Sequence, residues 1–265
     1  MKNNIIFISL SILLVNCSNL VFDNHAPVII KRTSSLYSMS DNSGEFSITR
    51  DIGLNKKKEF VVKSAVFPKN NLTAKPLEQS VTISSLGKLK NKTTVLRPKI
   101  SNYAIWFSGK PERYYSELKI NLQDKTLDLL MESPEKEWNG KRSIPFPKGT
   151  GVYCFFEQLM ECIATTGFIQ LAEKNESGVV NFHIIWEGYP YTQHQFSNMP
   201  DEVFTSASLN YNGKNDSNEL KFTLNFNNNM ITYFVSSRGA LLKKFWVAQG
   251  LTMTKISDKN TKKEH

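Results

Sequence analysis

The sequence predicts a mainly β protein: a curved antiparallel sheet, a half-barrel-like meander, with one amphipathic helix packed on it. Three observations lead there. Short stretches of alternating apolar and polar residues recur along the chain, separated by Asn, Gly, Lys and Pro turn material. Only one clear run has helical spacing, in "GVYCFFEQLMECIATTG". The strands are also too numerous for a flat sheet, which would curl.

The first segment is not part of that body. Met1 and Lys2 give a positive start, and Ile5 to Val15 are apolar apart from Ser9 and Ser11. As a helix this run would reach about 16 Å, too short for a hydrocarbon core of about 30 Å. It has the make-up of a secretory signal, residues 1–16. Residues 17–43, rich in Ser and Asn, read as a flexible tether.

From Gly44 to about residue 100, "GEFSITRDI", "KEFVVKSAVF", "QSVTISSLG" and "KTTVLRP" read as strands. They form either a small sheet of their own or an extension of the main one. The main β domain is expected over 101–257. "YAIWFSG", "ERYYSELKIN" and "KTLDLLME" open it, and in the second of these Tyr114, Ser116, Leu118 and Ile120 share one face. "SPEKEWNGKRSIPFPKGTG" reads as irregular because of its prolines. The helix follows over residues 151–164.

Eight further strands are expected after it: "TGFIQLAE", "VVNFHIIWEG", "PYTQHQFS", "VFTSASLNY", "ELKFTLNF", "MITYFVSS", "ALLKKFWVAQ" and "LTMTKIS". Their short turns make neighbours antiparallel. Residues 258–265 read as a disordered tail.

"LLVNCS" resembles the lipobox of bacterial lipoproteins, in the looser form spirochaetes use, with Asn16 where Gly, Ala or Ser is usual. The resemblance implies that Cys17 carries palmitate-type acyl chains and becomes the mature amino terminus. Two or more chains would anchor the protein durably, whereas one would not. Ser18 after the cysteine would, by the rule of enteric bacteria, favour the outer membrane. "PFPKGTG", "CFFEQLMECI" and the closing meander resemble the half-barrel of the bacterial lipoprotein-carrier group. That likeness implies a fold and transfers no functional residue.

Loss of residues 1–16 removes one of 33 basic and none of 24 acidic residues, leaving a mature charge of +8. The lysines are scattered, without an arginine-rich stripe interleaved with aromatics, so nucleic acid is not an expected partner. An anionic envelope lipid suits the charge better.

Cys154 and Cys162 lie eight residues apart. On one continuous helix they would stand about 12 Å apart along the axis and stay free thiols. A bridge would require a broken or shorter helix. The apolar periodicity favours the helix.

No signature of a nucleophile elbow, P-loop, zinc protease or calcium loop occurs. The chain is therefore expected to bind rather than catalyse, and no cofactor is expected. The ligand-binding candidates are Trp106, Phe155, Trp186 and Trp246, rings that would line a cavity for an acyl chain or other greasy ligand. The candidate for a metal site, and hence for a metal-dependent hydrolase, is His183, Glu187 and His194. It supposes that "FHIIWEGYPYTQHQF" is a hairpin. A surface adhesion or assembly module is the remaining reading.

Overall fold

The computed structural model describes residues 27–88, 94–106, 113–148, 151–196, 199 and 201–259. The expected signal segment and Cys17 lie outside them. The described chain folds into one 15-stranded sheet. Eight strands come first: β1 (Ile29–Asp41), β2 (Gly44–Asn55), β3 (Phe60–Pro68), β4 (Glu78–Lys88), β5 (Thr94–Trp106), β6 (Arg113–Asn121), β7 (Thr126–Glu132) and β8 (Gly140–Pro145). The short strand β9 (Tyr153–Phe155) leads into helices α1 (Leu159–Thr165) and α2 (Phe168–Asn175). Strand β10 (Val179–Ile185) precedes a single-turn helix, α3 (Tyr191–Gln195). The meander then closes with β11 (Phe204–Lys214), β12 (Leu220–Phe226), β13 (Asn229–Val235), β14 (Leu241–Trp246) and β15 (Leu251–Lys259).

The spatial order runs β8 back to β1, then β15 back to β9. Two meanders are thus joined where the first strand pairs with the last, Met39 opposite Met253. Every pairing is antiparallel except β9 with β10. The sheet is curved and unclosed, with β8 and β9 as its edges. The curl brings β9 and α1 against β5 across the interior.

Local chemistry sets the turns. Between β2 and β3, Asn55 Oδ1 accepts the N–H groups of Lys57 and Glu59, while Lys58 takes a positive φ of 59°. Asn215 does the same for Ser217 and Glu219 before β12, with Asn218 at φ 58°. An Asn side chain standing in for a backbone acceptor makes such turns favourable.

Several sequence expectations need correction. The tether expected over 17–43 is, from Ile29 to Asp41, strand β1 near the middle of the sheet. No boundary falls near residue 100, because β5 runs from Thr94 through Trp106 and "KTTVLRP" and "YAIW" belong to one strand. The first two residues of the tail expected over 258–265 belong to β15, which extends to Lys259, and the rest lie outside the described residues. The proline-rich connection contains β8, whose Pro145 ends an edge strand, where a missing N–H costs nothing. "TGFIQLAE" and "PYTQHQFS" are helices, not strands. Finally, the helix expected over 151–164 starts only at Leu159, and Cys154 bonds to Cys162 with Cα atoms 5.8 Å apart. The apolar pattern there is shared between a strand end, a 3₁₀ turn and a helix. That bend brings the cysteines together.

Candidate functional site

The curled sheet encloses a cavity of about 560 Å³. It is bounded by the inner faces of β1–β5 and β13–β15, and plugged by the turn at Phe156–Gln158, the start of α1, and the segment Trp186–Phe196. Its rim is polar and exposed at Asn42, Ser43 and Gln195. Asn42 and Ser43 form the β1–β2 turn, and Gln195 ends α3.

Strand register places the lining. Pairing runs Ser116, Tyr103, Ser80, Ser64, Arg50, Ser35 across β6 to β1, so all six stand on one rung. In the second meander, Tyr211, Phe222, Tyr233, Lys244 and Met253 form the matching rung from β11 to β15. Of these, Arg50, Ser64, Tyr103, Tyr233, Lys244 and Met253 line the cavity.

Rings form the apolar wall. Phe156 packs on Trp186 at 4.5 Å between centroids, and Phe196 on Trp246 at 4.8 Å. Behind them Phe226 touches both tryptophans. The indole N–H groups do not compete for a ligand: Trp186 donates to Thr205 Oγ1 (2.9 Å) and Trp246 to Asn229 Oδ1 (3.3 Å).

The charged groups are unusual for so enclosed a space. Arg50, 5% exposed, donates from both terminal nitrogens to the two carboxylate oxygens of Glu161, at 2.7 and 2.9 Å, and to the Glu157 carbonyl. Burial works against its charge, yet the Glu161 carboxylate more than compensates and raises its pKa. Glu187, 3% exposed, accepts the Glu157 N–H at 2.9 Å. Burial first, then the Glu157 carboxylate, push its pKa up to about 8. Glu78 is raised to about 7 by the same two causes. Lys244 places its ammonium 4.2 Å from the Phe156 ring centroid, and burial lowers its pKa against the pull of Glu157, Glu78 and Glu187.

The plug hangs on hydroxyls of the first meander. Ser116 donates to the Glu187 carbonyl (2.6 Å) and Tyr114 to the Tyr189 carbonyl. Gln158, 1% exposed, accepts from Ser84 and donates to the Thr82 carbonyl at 3.0 Å. The first two bonds satisfy plug carbonyls that lie outside the sheet ladder.

Of the four residues expected to line a ligand cavity, Trp106, Trp186 and Trp246 do so, Trp106 at its edge beneath Lys75. Phe155 does not. It is fully buried in the core, and its neighbour Phe156 faces the space. The expected metal triad is not assembled. "YTQHQ" is a helix, so His194 stacks on Trp138 (5.0 Å), while His183 on β10 stacks on Tyr153 (5.0 Å) with Nδ1 3.3 Å from Ser206 Oγ. Glu187 alone of the three faces the cavity. Among the described residues no three His, Cys, Asp or Glu side chains are grouped to hold a metal ion.

The sequence reading missed Arg50, Glu78, Glu157, Glu161 and Lys244. Two carried a usable signal. Arg50 falls in phase with Phe46 and Ile48 on β2, and Lys244 in phase with Trp246 on β14. A charge in the buried phase of an alternating strand must meet a partner or a cavity.

The sequence matches no family model and no curated protein. Among solved structures, the chain is similar to a beta-barrel-like protein of domain of unknown function DUF1849 from Brucella abortus. The two share 8% identity and a TM-score of 0.48, over 88% of this chain and 98% of that one.

Proposed function

We propose that this protein is a cell-envelope lipoprotein, anchored in the outer membrane through acylated Cys17, that holds a small apolar or amphipathic ligand in its cavity without transforming it. The observation that carries the reading is the enclosed, ring-walled space of about 560 Å³, within the range of roughly 300–1,000 Å³ of small-molecule sites. Packed cores leave few voids larger than a water molecule, so a sheet of this size left open inside calls for an occupant. The seat of the anchor rests on "LLVNCS" and the apolar run before it.

Two measurements test the proposal. Organic extraction of the purified protein followed by mass spectrometry should recover a bound small molecule in near-stoichiometric amount, and a clean extract from protein purified without detergent counts against it. Cys17→Ala should move the protein from the membrane to the soluble fraction. An alanine variant that stays in the pellet after a high-salt wash removes the anchor from the account.

A further inference from the structure

We infer that the cavity selects an amphipathic cation: an apolar body bearing one positively charged nitrogen, seated among the carboxyl groups of Glu78, Glu157 and Glu187. The inference rests on the reading that the cavity holds a ligand at all, and adds the ligand's charge.

Charge balance inside the cavity sets the sign of its ligand. Arg50 and Glu161 cancel each other through two hydrogen bonds, with Arg50 tied in addition to the Glu157 carbonyl. What remains facing the cavity is Lys244 from β14 against Glu78 from β4, Glu157 from the turn after β9, and Glu187 from the plug. Asp41 stands at the rim, where its carboxylate accepts from Ser43 and Gly44, and Tyr103, Tyr191 and Tyr233 complete the titratable lining. Apart from Asp41, three carboxyl groups oppose one ammonium. Glu187 is buried, and Glu78, Glu157 and Lys244 are only partly exposed. Charges withdrawn from water are paired or neutralised, and without a ligand cation the excess is met by protons. Burial and the Glu157 charge hold Glu187 and Glu78 near pKa 8 and 7, respectively.

A cation entering the cavity replaces those protons, so it finds its counter-charge already in place. An anion would stand beside three carboxyl groups with Lys244 alone to favour it, and would need still more protons taken up. Electrostatic complementarity of this kind decides between ligands of equal greasiness. The surface charge of the mature chain, +8, points the other way and would draw anions. The cavity and the surface therefore differ in sign.

The test uses the purified full-length chain and three probes of equal chain length: an alkyltrimethylammonium, an alkyl carboxylate and an alkyl alcohol, all below their micelle concentrations. Binding is followed through tryptophan fluorescence at pH 6 and pH 9. The ammonium should bind at least about tenfold tighter than the carboxylate at pH 9. Its affinity should rise between pH 6 and pH 9, and protons should be released on binding, read by calorimetry in two buffers of different ionisation enthalpy. Glu187→Gln should reduce ammonium affinity about tenfold at pH 9. If that variant does not fold, Glu78→Gln carries the same expectation. A carboxylate that binds as well as the ammonium at pH 9 overturns the inference. So does equal binding of all three probes, although alcohol binding would leave the cavity reading standing. Failure of all three to bind overturns both.

Discussion

The two meanders of the sheet share one architecture and differ in what they point inward. From β6 to β1 the central rung reads Ser, Tyr, Ser, Ser, Arg, Ser, whereas from β11 to β15 it reads Tyr, Phe, Tyr, Lys, Met. The cause lies in what each half packs against. The first meander faces the plug's backbone, whose carbonyls at Glu187 and Tyr189 need donors, and supplies hydroxyls. Much of the second faces side chains, with Leu209, Leu220, Phe222, Leu224, Ile231 and Val235 fully buried in one apolar cluster. A curled sheet can thus be held to its contents in two ways. One half uses apolar burial, which is non-directional, and the other uses hydrogen bonds that fix the plug's position.

The largest effect expected from disturbing this arrangement is at Arg50. Arg50→Met should destabilise by about 3–5 kcal/mol, because it leaves Glu161 charged, half-buried and unpaired. Adding Glu161→Leu should restore most of the loss, since removing both members of a buried pair is often close to neutral. Urea unfolding of the two variants checks this. A single variant costing under about 1 kcal/mol would mean that Glu161 reaches water, and the polar rung would then be a surface feature rather than an interior one.

That rung also explains how much the sequence disclosed. Period-two alternation found β6 with its inward set Tyr114, Ser116 and Leu118, all fully buried. It found β11 to β15 as well, because their inward residues, Lys244 apart, are mostly apolar or aromatic. It failed at β1, where Ser34, Ser35 and Tyr37 are the buried positions and a serine-rich strand looks like a linker. Hydrophobic patterning cannot see an interior built from hydroxyls. It failed again at Phe155 and Phe156, where the move from strand to 3₁₀ turn decides which ring meets the cavity. The α3 turn, five residues long, is too short for any period to show. The charges at Glu78 and Glu157 fall on a strand start and a turn, where a carboxylate is unremarkable until the curl of the sheet encloses it.

A second effect separates the halves by pH. Glu187 has its folded pKa near 8, against 4.5 when exposed. Its protonated form is therefore favoured by folding, and the stability this gives is complete below about pH 4.5 and lost as pH rises through 8. Between pH 5 and pH 9 melts of the wild type should show a decline of about 4 kcal/mol from Glu187, to which Glu78 adds. Glu187→Gln should flatten that decline and be the more stable protein at pH 9. Parallel curves for the two would place the titration elsewhere in the cavity, at Glu78.

The smallest effect discriminates most finely. Ser116 and Ser101 are both fully buried hydroxyls on the inward side of the first meander. Ser116 Oγ donates to the Glu187 carbonyl, whereas Ser101 Oγ has no hydrogen-bond partner among the described residues. If the hydroxyls are there to hold the plug, Ser116→Ala should cost about 1–2 kcal/mol by orphaning a buried carbonyl. Ser101→Ala, which removes a buried polar atom and strands nothing, should be near zero or slightly stabilising. Paired thermal melts give the difference. Equal costs would mean that the serines serve only as small side chains in a crowded interior. The contrast between the two meanders would then be one of volume, with no special hold on the backbone beneath.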